Sequence, residues 1–488
     1  MTTTMTTTTV VAQTPDWVKH AVFYQIFPDR FASSSSLPKP SNLEPWDAPA
    51  TQQGYKGGDL IGVIEHLDHI QRLGATAIYF TPIFQSACNH RYHTHDYYQV
   101  DPLLGGNAAL RALIDACHAR NINVVLDGVF NHASRGFFQF SDILENGPHS
   151  AWLDWFTIED WPLSAYDGDK PANYLAWVNN RALPKLNTDN PQVREFIMQV
   201  AEHWLRFGID GWRLDVPFEI RTPGFWQEFR QRVKAINPDA YIVGEVWRDA
   251  RQWLQGDQFD ATMNYLFTSA AIAYAAGPRV VHQLVFDRSY DPEPAIGGSE
   301  LADRLRDVLD LYPREIALAQ LNLLDSHDTA RLLNIAGGDA ASVRIATILL
   351  MTFPGAPSIF YGDEIGLPGG QDPDCRQTMP WAHPERWDRA VLAYHTALIA
   401  IRHAHPALRT GEMRVVFSDD AVLVFVREDA SETLLIGLNN SDEPRAAQFQ
   451  LQASAITPLF GDGGAILDEA TAALEIPARD GAIWLVQK

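Results

Sequence analysis

From Val22 onward, short apolar runs alternate with longer stretches whose apolar residues recur every three or four positions. The first pattern predicts buried strands and the second predicts amphipathic helices. Strand runs are Val22–Phe27, Ala75–Phe80, Asn123–Val129, Gly211–Val216, Tyr241–Glu245, Ala261–Tyr265, Leu321–Asp325 and Ser358–Tyr361. Helical patterns fall between them at Leu60–Leu73, Asn107–Arg120, Pro191–Phe207, Thr222–Lys234 and Ala340–Met351. Strands interleaved with helices in this way predict an α/β fold, a (β/α)8 TIM barrel with a parallel sheet. A doubly wound sheet would need a glycine-rich first turn, and none follows Phe27.

Two stretches depart from this rhythm. Residues 131–188, after the third strand, are too long for a simple connection and predict an inserted subdomain. Four tryptophans lie there, Trp152, Trp155, Trp161 and Trp177, and core packing is the expected role for most of its aromatics. After Ala407 the pattern changes to alternation, at Val415–Phe417, Val422–Val426, Thr433–Leu438 and Ala482–Val486, with turn residues between. This predicts a C-terminal antiparallel β-sandwich over 408–488. The barrel then comprises 17–130 and 189–407, and the threonine-rich, uncharged start reads as a frayed tail over 1–16.

Composition narrows the function. Sixty acidic residues against 38 basic ones leave a net charge of -22. Such a field repels nucleic-acid backbones and anionic lipid, so neither is an expected partner. No run approaches the roughly 18 apolar residues of a membrane span. The three cysteines, Cys88, Cys117 and Cys375, are too scattered for a disulfide framework or a zinc cluster, and the N-terminus lacks a secretory pattern. A cytoplasmic protein is expected.

The chemistry gathers where strand runs end in polar groups. Arg213 and Asp215 stand two apart, so in a strand both face one side. A guanidinium beside that carboxyl favours its ionised form, as a nucleophile requires, although a structural ion pair fits the same spacing. Glu245 ends the next run with Trp247 at same-face spacing, and an apolar wall suits a carboxyl to proton donation. Capping of a neighbouring helix is the alternative for Glu245. His327 and Asp328 supply a third acid and an imidazole. A nucleophile and a proton donor with no metal or cofactor motif suit glycoside hydrolysis.

These segments resemble the motifs of the α-amylase family of glycoside hydrolases: LDGVFNH at Leu126–His132, GWRLDV at Gly211–Val216, GEVW at Gly244–Trp247 and SHD at Ser326–Asp328. TPIF at Thr81–Phe84 and GAPSIFYGDEIGL at Gly355–Leu367 extend the resemblance. It implies a retaining mechanism with Asp215 as nucleophile, Glu245 as acid/base and Asp328 as transition-state stabiliser. It also implies that His132, Arg213 and His327 line the same subsite, that Tyr97 stacks under the reacting ring, and that Asp372 and Arg376 hold the next glucose. LPKLN at Leu183–Asn187 is similar to the MPKLN signature of neopullulanases, cyclomaltodextrinases and maltogenic amylases, as is GDQFDATMNYLF at Gly256–Phe267.

Differences from that branch shape the remaining expectations. Its VANE is Val216-Pro217-Phe218-Glu219 here, placing Phe218 and Glu219 near the acceptor side, and its GEIWHD has Arg248 for histidine. The barrel begins near the start of the chain, leaving no room for the branch's N-terminal β-domain, so a monomer or a differently built dimer is expected. A cleft without that wall should admit branched chains. The loop after the first strand is poor in calcium ligands, so no required metal and no cofactor are expected. The implied activity is hydrolysis of α-1,6 branch links, with α-1,4 links as companions, in an α-glucan. An α-1,4-specific enzyme, a glucosyltransferase on the same scaffold and an inactive binding barrel are the alternatives.

Overall fold

The computed structural model describes residues 13–285 and 290–487. Its centre is built from β1 (Phe23–Ile26), β2 (Ala77–Phe80), β3 (Asn123–Gly128), β4 (Gly211–Leu214), β5 (Tyr241–Gly244), β6 (Ala261–Thr262), β7 (Leu321–Asn322) and β8 (Ala356–Phe360). Neighbours run β6-β5-β4-β3-β2-β1-β8-β7. A parallel bridge between Met263 and Leu321 joins the outer two and closes the barrel. Every residue of β1, β2, β4, β5 and β8 is buried, because side chains fill the interior while helices cover the outside. That is why these strands read as continuous apolar runs.

The expected strands overrun their C-terminal ends. Gly211–Val216 stops at Leu214, Tyr241–Glu245 at Gly244 and Leu321–Asp325 at Asn322. Tyr265 belongs to a helix, Tyr265–Ala275, whose N-cap Asn264 accepts from the Phe267 amide. The polar residues after each strand leave the ladder and turn toward the barrel mouth. Helix Pro191–Phe207 matches its pattern, with Asn190 capping, Pro191 in the first turn and Gly208 left-handed at the end. The single helix expected over Leu60–Leu73 is two, Leu60–Glu65 and Leu67–Leu73, parted by a non-helical His66.

Between β3 and the Pro191 helix, the chain forms a helix at Phe138–Asn146 and several isolated antiparallel bridges. Phe137, Phe140, Trp155, Phe156 and Tyr174 are buried there and continue the barrel core into the insertion. At the other end, β9 (Glu412–Ser418), β10 (Val422–Glu428), β11 (Thr433–Asn439), β12 (Arg445–Gln450), β13 (Ala455–Phe460), β14 (Gly464–Asp468), β15 (Thr471–Ile476) and β16 (Asp480–Gln487) form two antiparallel sheets. The orders are β9-β10-β11-β16-β13 and β12-β15-β14. Simple alternation is absent from β11, which is buried throughout, and nearly so from β10. Val424, Leu435 and Trp484 face the sandwich core, whereas Leu423, Phe425 and Ile436 join the barrel core. The central sheet is thus covered on both faces.

Residues 1–12 of the expected tail lie outside the described residues. Its remainder is held: the Gln13 carbonyl accepts from Arg230 at 2.8 Å, and Thr14 donates to the Glu315 carbonyl at 3.2 Å.

Candidate active site

Arg213 leaves β4 into the barrel interior and organises three carboxyl groups. Its Nη1 donates to Asp127 Oδ2 at 2.9 Å and to Asp215 Oδ1 at 3.0 Å. Its Nη2 lies 3.0 Å from Glu245 Oε1, an ion-pair distance without hydrogen-bond alignment. Asp215 follows the end of β4, its amide held by the Gly128 carbonyl, and Glu245 follows the end of β5, its amide held by Leu214. Gly244 is required just before Glu245, since a Cβ there would lie 2.8 Å from the Phe259 ring. Glu245 accepts from the Val216 amide and from the Trp247 indole, each at 3.1 Å. Val216 supplies that amide from a left-handed conformation (φ 35°) that a β-branched residue resists, a strain of about 1–3 kcal/mol held by the surrounding structure.

The charge balance differs from the sequence expectation for Asp215. Burial is the largest influence and pushes its carboxyl well above the ordinary range; Arg213 opposes this without overcoming it. Glu245 is raised by burial, again against Arg213. Asp127 is pushed up to about 6 by burial, while Arg213 and Tyr92 pull it down. One cation facing three buried carboxyls leaves the group with a proton to hold near neutrality.

Asp328 stands across the mouth and is partly exposed. His327 Nε2 is 3.1 Å from its Oδ2, and Arg376 Nη2 is 3.3 Å from its Oδ1. Arg376 also pairs with Asp372 at 2.9 Å. Gln25 contacts His327 Nδ1 at 2.7 Å and the Tyr92 hydroxyl contacts Nε2 at 2.6 Å, while burial holds the imidazole far below its usual pKa.

A cleft of about 1000 Å³ opens above these groups and is lined by Asp215, Glu245 and Asp328 together with His132, Asp372 and Arg376. Trp247 and Phe218 form part of its wall. The Trp247 ring stacks on Tyr265 at 3.8 Å. His132 stacks on Trp177 at 5.3 Å, burial pulls its pKa down to about 3, and its Nε2 has no hydrogen-bond partner among the described residues.

Four expected placements are corrected. Tyr97 does not reach the cleft: it is buried among Phe84, Phe130, Phe137 and Phe196, with its hydroxyl donating to the Val129 and His132 carbonyls. Tyr92 lines the cleft instead, its ring parallel to His327 (6°) and its hydroxyl bonded to Asp127 at 2.9 Å. Arg213 and His327 are fully buried beneath the cleft rather than on its surface. Glu219 turns away to Lys185, 3.0 Å distant, because the short helix Pro217–Glu219 directs it toward the inserted subdomain. Arg248, noted as a departure from the branch, stands on the cleft wall, where sequence reasoning did not place His90, His93 or Trp177. Of these, only the His-rich run HRYHTH carried a visible signal. Cys88 joins His90 and His93 in a group whose possible ligand atoms lie within 4.8 Å of one another.

A closed parallel barrel with carboxyl groups converging from the ends of different strands defines an enzyme of the barrel class, acting by acid–base and nucleophilic chemistry. Residues 25–387 match the family model described as alpha amylase, catalytic domain, and the chain belongs to the α-amylase family. It is 45% identical over 434 residues to a cyclomaltodextrinase from a Bacillus species, covering 88% of this chain and 74% of the relative. It is 43% identical over 449 residues to neopullulanase 2 from Thermoactinomyces vulgaris, covering 91% and 73%. Among solved structures, a debranching enzyme from Nostoc punctiforme superposes with a TM-score of 0.90 at 59% identity, covering 97% of this chain and 100% of that one.

Proposed function

We propose that this chain is a retaining α-glucan hydrolase that cleaves α-1,6 branch links and, as a companion activity, α-1,4 links. The observation that carries the reading is the meeting of Asp215, Glu245 and Asp328 in one cleft over Arg213. The linkage rests on the names of the relatives, a debranching enzyme at 59% identity and a neopullulanase and a cyclomaltodextrinase at 43% and 45%.

Asp215 attacks the anomeric carbon as a carboxylate while Glu245 gives its proton to the departing glycosidic oxygen. Burial pushes Asp215 further up than Glu245 in the open cleft. The reaction needs the shared proton on Glu245, and the aligned hydrogen bond from Arg213, which Glu245 lacks, is what favours the anion on Asp215. Glu245 then takes a proton from water as the water oxygen bonds to the anomeric carbon and the bond from that carbon to Asp215 breaks, leaving Asp215 a carboxylate. Asp328, fixed by His327 and Arg376, accepts hydrogen bonds from sugar hydroxyls as positive charge develops on the ring. Tyr92 offers its face to the sugar in the role first expected of Tyr97, and His132 Nε2 offers a further polar contact. Asp372 and Arg376 grip the neighbouring glucose.

A cytoplasmic location fits the three free thiols and the lack of any disulfide among the described residues. Likewise, no helix among those residues is long and apolar enough to cross a membrane. Digestion of pullulan, cyclodextrin and a branched glucan side by side tests the linkage. Release of linear chains from the branched polymer is expected; intact branch links with only α-1,4 products would remove the debranching claim.

A further inference from the structure

The loop Cys88–His93 presents a soft ligand set on the cleft wall, on the side where the charge of Arg376 is felt at His90. Alternate residues anchor it. Asn89 donates to the Gln52 and Gly54 carbonyls at 3.0 and 2.8 Å, and Arg91 is buried against Asp101 at 3.1 Å. Arg91 adopts a left-handed conformation (φ 60°), with its amide closing a turn onto the Cys88 carbonyl at 3.2 Å. The chain therefore doubles back, so that Cys88 and His93 flank His90. All three side chains line the cleft and are half-buried.

The distances suit a tetrahedral cation. Cys88 Sγ lies 3.5 Å from His90 Nδ1. Zn–N and Zn–S bonds of about 2.0 and 2.3 Å at a tetrahedral angle put their ligand atoms about 3.5 Å apart. His93 lies beside them, its ring 5.1 Å from that of His90 and nearly perpendicular to it. Ser86 Oγ supports the thiol from behind, 3.3 Å from Cys88 Sγ, and is itself bonded to the His93 carbonyl at 2.8 Å. Such supporting bonds orient metal ligands. Both imidazoles are held neutral by burial, His93 down to about 4, so neither must shed a proton to coordinate. The long bond that His90 Nδ1 accepts from the Tyr92 amide, 3.3 Å, is what a metal would displace.

We propose that Cys88, His90 and His93 bind a thiolate-seeking divalent cation such as Zn²⁺, and that its binding inhibits hydrolysis in the cleft. As the S–metal bond forms, the Cys88 proton passes to solvent, and the fourth coordination position, filled by water, faces the cleft. The hydrated ion then occupies space beside Tyr92 and Arg376 that a glucan chain would need. The inhibition rests on the functional reading above; the binding does not.

Co²⁺ serves as the binding probe, because a Cys–His–His site gives visible d–d bands and a near-ultraviolet thiolate-to-cobalt band. Cys117 and Cys375 are fully buried, so the thiolate band reports Cys88. The band is expected in the intact chain, absent in Cys88→Ser, and displaced by Zn²⁺. Cys88→Ser or His93→Asn should weaken Zn²⁺ binding about 100-fold or more. Activity of each variant, relative to its own metal-free rate, should become correspondingly resistant to Zn²⁺. Absence of the thiolate band, or Zn²⁺ inhibition unchanged in both variants, would overturn the proposal. If the band appears but no glucan is cleaved by the metal-free chain, the functional reading fails while the metal site stands.

Discussion

Arg213 reaches three carboxyl groups at once, and a single positive charge cannot neutralise them all. The site therefore depends on which acid keeps the proton. Glu245→Gln should lower kcat about 10²–10⁴-fold for substrates with poor leaving groups and much less for activated aryl glycosides. Asp215→Asn should cost more than this on every substrate while leaving the thermal transition close to that of the parent. Near-full activity in that variant would remove Asp215 as nucleophile. The pH profile follows from the same assignment. Glu245 must be protonated to act, so activity falls as pH rises through its pKa, which burial places above the ordinary glutamate value. Asp215 must be ionised, so activity also falls on the acid side. With an activated substrate, Glu245→Gln should lose the alkaline limb and keep the acid one. An alkaline limb retained in that variant would place the titrating proton elsewhere.

At the scale of elements, the barrel strands and the three strand-end acids were legible because both follow from local pattern. A strand buried on two faces reads as an apolar run, and a polar residue closing that run marks the mouth. The tyrosine on the cleft wall was not legible. Tyr92, Tyr97 and Tyr98 lie within seven residues of one another, and the backbone turn at Arg91 decides which ring enters the cleft. The two candidates should separate experimentally. Tyr97→Ala should destabilise the fold by about 3–5 kcal/mol in denaturant titrations, as removal of a buried aromatic does. Tyr92→Ala should mainly raise KM and lower kcat. Equal stability losses with unchanged kinetics in the Tyr92 variant would return the platform role to another ring. The same loop carries a grouping that cysteine spacing alone does not display: two histidines, rather than further cysteines, lie beside Cys88. Helix continuity at His66 and the direction of Glu219 were equally hidden, since both depend on contacts made only in the folded chain.

The whole molecule joins barrel and sandwich through one shared sheet. Phe425 packs into the barrel core from β10, while its neighbour Val424 faces the sandwich core. That sharing also explains why the β10 and β11 runs lack the alternation expected of a half-exposed sheet. Unfolding followed by activity and by tryptophan fluorescence should give coincident transitions, with Trp484 reporting the sandwich. Phe425→Ala should shift both together by about 3–5 kcal/mol. Separate transitions would show two independently stable units. The net charge of -22 bears on substrate choice in the same global way. A neutral glucan gains nothing from that field, so kcat/KM should change little with ionic strength, whereas a charged substrate would respond strongly. The central claim concerns the two displacements at Asp215, and the anomeric configuration of the first product reports it directly. Proton NMR of a fresh digest, recorded before mutarotation, should show the α-anomer first. Initial release of the β-anomer would contradict a retaining mechanism.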